Sequence, residues 1–217
     1  MLRALANAAL SILSPPRCAA CDAALGRDAA LCAGCLSTLE PPPPLPPGTS
    51  ASFAYGGALA EAVRATKFGP RPERLRALQR LVIERVREAH GFEPARGGVA
   101  LVAPVPLHPA RLRERGFDQA AILAQAVAAA LARPCDVALL ARRIDTPHVA
   151  SLDAPGRAKA VKGAFVLRDP GRARHAGTVL LVDDVRTTGA TLEAAAGPLR
   201  AAGLEVRAHV LAATAID

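Results

Sequence analysis

Val179-Leu-Leu-Val-Asp-Asp-Val-Arg-Thr-Thr-Gly-Ala-Thr191 is the stretch whose reading decides the fold. Val179 to Val182 form a continuous apolar run between Gly177 and Gly189, the pattern of a short strand buried on both faces, as in a parallel sheet. Asp183 and Asp184 follow at once. Adjacent carboxylates repel and are costly to desolvate, so the strand is expected to stop before them and leave both at its carboxyl edge. Arg186-Thr-Thr-Gly-Ala-Thr191 then reads as a small hydroxyl-rich turn, and Leu192 to Ala202 as a helix weakened in its middle by Gly197 and Pro198.

A strand, a small polar loop and a helix start make an anion-binding arrangement. Loop and first-turn N–H groups point outward, and the helix dipole favours negative charge there. Thr187, Thr188 and Thr191 add hydroxyl donors, and Gly189 is expected to let the backbone approach a ligand closely. The two acids just upstream can accept hydrogen bonds from sugar hydroxyls or help hold a hydrated magnesium.

The string resembles the phosphoribosyl pyrophosphate (PRPP) motif of type I phosphoribosyltransferases, in which a hydrophobic strand is followed by two acids and Thr-Thr-Gly. The resemblance implies a parallel α/β sheet flanked by helices, with Asp183 and Asp184 as the catalytic pair facing the ribose hydroxyls and Mg2+ arriving with PRPP. It also implies that Arg186, Thr187, Thr188, Gly189, Ala190 and Thr191 wrap the 5′-phosphate. An apolar run with acids also marks Walker-B strands, receiver domains and ordinary doubly wound units. The first two do not explain Thr187 to Thr191, and no Walker-A glycine-lysine loop lies upstream.

The 217 residues suffice for one ordinary domain and a small appendage. Aromatics are 3% and Trp is absent, so the core must be aliphatic. The net charge of +8 favours polyanionic partners, pyrophosphate groups or nucleic acid; a general arginine-rich composition is the other reading. No run is long enough to span a membrane. Met1 to Leu13 imitates a signal peptide only faintly; Leu2, Leu5, Ala9, Ile12 and Leu13 share one helical face, which predicts a short packed helix. A cytoplasmic location is expected.

Cys18-Ala-Ala-Cys21 and Cys32-Ala-Gly-Cys35 form two C-x-x-C pairs. Each tight turn can supply one edge of a tetrahedral site, so Cys18, Cys21, Cys32 and Cys35 are predicted to hold a structural Zn2+ that provides the folding energy so short a segment lacks. Disulfides, which would need an oxidising compartment, and a redox role are the alternatives. Cys135 stands apart and reads as a small apolar residue. Glu40 to Gly48 is nearly all proline, an extended semi-rigid spacer. The predicted organisation is therefore an N-terminal helix, zinc module and linker over 1–47, and the α/β domain over 48–217.

Further along, Ser52 to Tyr55 reads as an edge strand, Gly56 to Lys67 as turn and helix, and Arg74 to His90 as an amphipathic helix. Lys67 either reaches a phosphate or solvates its helix end. His90 reads as a cap. Val99 to Ala103 is a buried strand stopped by prolines. Arg111, Arg113 and Arg115 then sit in what reads as a tight basic loop on the ligand edge of the sheet, placed for an anion such as pyrophosphate; a solvated basic turn is the other reading. Gln119 to Ala132 is a helix, and Val137 to Arg143 another apolar run. The polar stretch from there to Phe165, with Thr146, His148, Arg157, Lys159 and Lys162, reads as a basic lid. Gly163 to Leu167 and Glu205 to Ala212 are the remaining strands.

Together these pieces resemble the ComF family of competence-associated, phosphoribosyltransferase-like proteins across nearly the whole chain. The matching parts are the four cysteines, Lys67-Phe68, Val105-Pro-Leu107, Arg111-Leu-Arg-Glu-Arg-Gly-Phe117, Lys162-Gly-Ala-Phe165 and Val182 to Thr191. The resemblance implies a PRPP-type pocket without assured turnover and a cytoplasmic role in natural transformation, with single-stranded DNA and other competence proteins as partners. Asp118, His148 and Ala160 depart from the family's commoner Asn, Gln and Asn. Two other functions fit part of the pattern: an active phosphoribosyltransferase of nucleobase salvage, and a zinc-ribbon single-stranded-DNA-binding protein without a working pocket. Against the salvage reading, no stretch reads as a hood with an aromatic platform for a base.

Overall fold

Strand β5, Thr178–Arg186, runs through the interior of a four-stranded sheet. The computed structural model describes residues 16–26, 29–68, 72–90, 98–146, 154–169, 171 and 177–215. In chain order its elements are α1 (Ala33–Leu36), β1 (Thr49–Ala54), α2 (Gly57–Phe68), α3 (Pro72–His90), β2 (Leu101–Pro104), α4 (Pro109–Arg115), α5 (Gln119–Leu131), β3 (Leu140–Arg142), α6 (Ala154–Val161), β4 (Phe165–Leu167), β5, α7 (Ala190–Ala201) and β6 (Glu205–Ala213). The main sheet has the order β1-β6-β5-β2, and every pairing in it is parallel. β3 and β4 form a separate antiparallel ribbon.

The apolar run of β5 serves both faces. Leu180 and Val182 join one cluster with Leu59, Leu78, Leu123 and Val127, so α2, α3 and α5 cover that side. Val179 and Leu181 join another with Leu192, Leu199, Leu140 and Phe165, so α7 and the ribbon cover the other. A strand buried on both faces has no polar positions to alternate, which is why the sequence shows a continuous run. α7 forms despite Pro198. Burial of Leu192, Ala195, Ala196 and Leu199 outweighs a propensity penalty of about 3 kcal/mol.

The helices after β2 and β5 thus lie on opposite faces of the sheet. Between two such strands the loops part, leaving a crevice at their carboxyl ends. Val105 to Leu107 leave β2 beside it, and Asp183 and Asp184 reach it on β5.

Four expectations change. β5 does not stop before the acids but continues to Arg186, with Asp183 opposite Val210 and Arg186 opposite Ala213. The basic segment at 109–115 is a helix, begun by Pro109 at its first turn and capped by His108, whose Nδ1 accepts from Ala110 N. The apolar run from Val137 contributes only Leu140–Arg142 as strand, and in the ribbon rather than the main sheet. The polar stretch before Phe165 contains helix α6. The predicted helix at 1–13 and the lid residue His148 lie outside the described residues.

The cysteine segment packs on the main body. Cys18, Ala19, Ala30 and Leu31 are buried in the same cluster as Leu59 and Leu75, and Arg74 of α3 holds the Asp22 carboxylate at 2.8 Å. The proline linker then runs past β1, where Glu40 O accepts from Ala54 N, and Leu45 packs against the opposite cluster.

Candidate functional site

A cavity of about 490 Å³ opens at the carboxyl ends of β2 and β5. Asp183 and Asp184 form part of its wall. Asp184 makes an ion pair at 2.8 Å with Lys67 Nζ, delivered by the last turn of α2. Burial works to lower the Lys67 ammonium, but the carboxylates of Asp184 and Asp183 outweigh it and the net shift is upward. Asp183 Oδ1 accepts from Asp184 N at 2.8 Å. Burial, then the neighbouring Asp184 charge, push the Asp183 carboxyl up to about 8 against those favourable contacts. Asp118 joins this acidic group from the start of α5. Its Oδ1 caps the helix at Ala121 N and its Oδ2 accepts from Leu107 N, both at 3.1 Å. Burial raises its carboxyl despite those donors.

Cations face the acids. Arg111 and Arg115 line the cavity from α4; Arg111 is 2.9 Å from Glu114 and 3.6 Å from Asp145, and Arg115 donates to Gln119 Oε1 at 3.1 Å. Arg142 enters from the end of β3, stacked over Phe165 at 5.4 Å and hydrogen-bonded to Thr146. Two buried donors here lack a partner among the described residues, Arg142 Nε and Gln119 Nε2. Unpaired buried donors in a cavity wall call for an acceptor supplied by a ligand or water.

The loop after β5 supplies Thr187 and Thr191 to the same cavity. Gly189 begins α7 with φ of 83°, and among the described residues no side chain caps that helix start. Its first N–H groups are open to an anion, with Ala190 N making only a 3.4 Å contact to Thr188 Oγ1.

Most residues singled out in the sequence converge here: Asp183, Asp184, Lys67, Arg111, Arg115, Thr187 and Thr191 all border the cavity, and Thr188, Gly189 and Ala190 shape the adjoining loop. Arg113 is exposed and lies outside the lining. Arg186 is only 5% exposed; it borders both the small pocket shaped by Thr187 to Thr191 and a second cavity between α7 and β6, and a Cβ on Gly189 would come within 3.1 Å of its guanidinium. Sequence reasoning gave no site role to Tyr55, Gln119 or Asp145, all in the wall. A tyrosine closing an edge strand was the available signal for Tyr55; the others depend on how α5 and the end of β3 turn in.

At the N-terminal end the sulfurs of Cys18, Cys21, Cys32 and Cys35 all lie within 4.8 Å of one another, close to the edge of a tetrahedral thiolate site. Burial raises the Cys18 thiol, but N–H groups of Cys21, Cys32 and Ala20 outweigh it and hold it down at about 6. This donor set fits a soft or borderline divalent ion.

No protein-family model matches the chain. Among curated proteins it is 33% identical over 179 residues to DNA utilization protein YhgH of Salmonella typhi, covering 81% of this chain and 74% of that one. The Escherichia coli K12 protein of the same name is 30% identical over 190 residues, 81% and 80% of the two chains. Competence protein F of Haemophilus influenzae is 35% identical over 130 residues, 60% of this chain and 56% of that one. Similar solved structures include the glutamine PRPP amidotransferase from B. subtilis complexed with ADP and GMP, at TM-score 0.40 and 18% identity over 67% of this chain and 30% of that one. The adenine phosphoribosyltransferase from Leishmania tarentolae scores 0.38 at 16% identity, over 81% and 94%. With relatives this similar over most of both chains, the chain belongs to the ComF family of competence protein F and DNA utilization protein YhgH.

Proposed function

We propose that the crevice binds PRPP or a related phosphoribosyl ligand, with Mg2+, and that the protein serves DNA uptake or utilization in the cytoplasm. The carrying observation is the meeting of Asp183 and Asp184 with Thr187 and Thr191 in the lining of one cavity, together with Lys67, Arg111 and Arg115. In this reading the loop N–H groups and threonine hydroxyls hold the 5′-phosphate. The Asp183 and Asp184 carboxylates accept from the ribose hydroxyls, and the arginines and Lys67 face the pyrophosphate.

The residues present fit a magnesium-bearing ligand. Asp118, Asp183 and Asp184 lie together in the crevice, with Glu114 and Asp145 also in its wall, and burial followed by the Asp184 charge pushes the Asp183 carboxyl up. A hard divalent ion carried by pyrophosphate would offset that negative charge and neutralise charge on the phosphates. Arg142 Nε and Gln119 Nε2 are further donors in reach of an acceptor-rich ligand. The link to DNA rests on the names of the relatives, and the surplus of cations on the chain agrees with it. Zn2+ is the ion proposed for the four cysteines, with a structural role.

Isothermal titration of the full chain with PRPP in magnesium buffer tests the pocket. Binding is expected, and Asp183→Ala with Asp184→Ala is expected to weaken it at least tenfold. No binding by the wild-type protein, with the fold intact by circular dichroism, would refute the reading. Pyrophosphate release on adding each common base tests turnover separately.

A further inference from the structure

We propose a second anion site on the back of the same loop, selective for a phosphate group as carried by inorganic phosphate or a small phosphomonoester. A cavity of about 240 Å³ lies between α7, the β5–β6 pair and the start of β1, separate from the crevice that holds Asp183 and Asp184. Arg186, Arg200 and Arg207 border it, with Glu193 the one carboxylate in its lining among the described residues.

Arg186 makes the argument. Its side chain is buried, yet among the described residues its guanidinium has a single hydrogen bond, from Nη1 to Thr187 O at 3.4 Å, and no ion pair. A guanidinium carries five N–H donors in a planar fork suited to phosphate, and removing it from water without an anionic partner is costly. Gly189 opens the space in which the fork lies. At the rim, Arg207 lies 3.3 Å from Glu205, and Arg200 holds Glu193 at 2.6 Å in a solvent-facing pair that can yield its cation to an incoming dianion. With Glu193 on Arg200 and Glu205 on Arg207, Arg186 is the lining cation that has no acid beside it among the described residues, so the cavity favours an anion. Leu181, Leu192, Ala196 and Val206 form an apolar floor that suits the carbon skeleton of a phosphomonoester.

The two sites share the 187–189 loop. An anion gripping Arg186 from behind would fix the loop that forms the front cradle, so occupancy of one site is expected to tighten the other.

The test uses crystals of the full chain soaked in selenate, a tetrahedral dianion located by its anomalous signal, together with titrations of inorganic phosphate and of ribose 5-phosphate in solution. A selenate peak between Arg186 and Arg207 is expected. Arg200→Gln with Arg207→Gln, two changes at the rim, should abolish that peak and weaken the matching binding event at least tenfold. Tighter binding of ribose 5-phosphate than of phosphate would assign the apolar floor to the ester; equal binding would assign the site to the phosphate group alone. No peak at Arg186 in the wild-type crystals, or binding unchanged in the double variant, would overturn the proposal. Thr187→Val with Thr191→Val disables only the front cradle, so loss of PRPP binding there with the rear peak retained separates the two sites. A wild-type chain that fails to bind PRPP but keeps the rear peak would refute the proposed function and leave this site standing.

Discussion

His209 carries an imidazole into the middle of β6, fully buried. Its Nδ1 lies 2.8 Å from Ser50 Oγ and its Nε2 3.1 Å from Ser52 Oγ, and His90 packs edge-on at 5.6 Å while also reaching Ser50. A neutral ring, with one N–H and one lone pair, satisfies both serines. Burial, and then the neighbouring His90, lower its pKa to about 3. The unfolded chain therefore takes up a proton below about pH 6.5 that the folded chain refuses. Stability is complete above that value and is lost as pH falls toward 3, by a few kcal/mol in all. Chemical denaturation between pH 7 and 4 should show this fall, and His209→Gln should flatten it. Asp183 works in the opposite sense. Its raised carboxyl stays protonated in the fold, so its contribution is lost as pH rises from about 4 through 8. Asp183→Asn should stabilise the protein at pH 8 by about 1–3 kcal/mol while weakening PRPP binding. Gly189→Ala combines a φ of 83° with a Cβ 3.1 Å from the Arg186 guanidinium and should cost about 1–3 kcal/mol in the same assay.

At the scale of elements, Asp118 is the chief fastener. One oxygen caps α5 and the other holds Leu107 N, which ties the whole 107–121 excursion with α4 to the end of β2. Asp118→Ala should cost about 1–3 kcal/mol by thermal or chemical unfolding, and Asp118→Asn, which keeps one acceptor, clearly less. The elements that read well from sequence were those with a strong period or an unbroken apolar run: α3, α5 and the core of β5. The extension of β5 through Asp183 did not read well. The rule that paired acids end a strand concerns desolvation. Here the strand edge meets an open crevice, and Asp184 N and Lys67 offset part of the cost. Helix α4 was hidden because its seven residues are too few and too basic to show an apolar face; its Pro109 start and His108 cap were the local clues. The position of Arg186 could not be read from sequence for a geometric reason: membership in a loop motif does not say that the side chain also borders a second cavity beside α7.

On the scale of the whole molecule, the cysteine segment and the α/β body share one core. Cys18 and Leu31 lie among the side chains of α2 and α3, and α2 is also the helix that brings Lys67 to Asp184. If the four cysteines hold the proposed metal, a strong chelator should therefore lower the melting temperature of the entire chain in one cooperative transition, and should weaken the proposed PRPP binding without touching the crevice. Calorimetry before and after chelation checks both. The sequence announced the four cysteines plainly. Their docking was not announced, because the residues that carry it are small alanines and single leucines with no period of their own.

The shared core also bears on how the protein can be dissected. A version trimmed to start at the prolines would leave Leu59, Val63 and Leu75 without their cover and strand Arg74 without Asp22. Such a fragment should clump on expression, and any lost DNA binding would then reflect a damaged body rather than a missing contact. Point changes on the segment's exposed outer side, away from Asp22, avoid that trap and ask whether nucleic acid touches it at all.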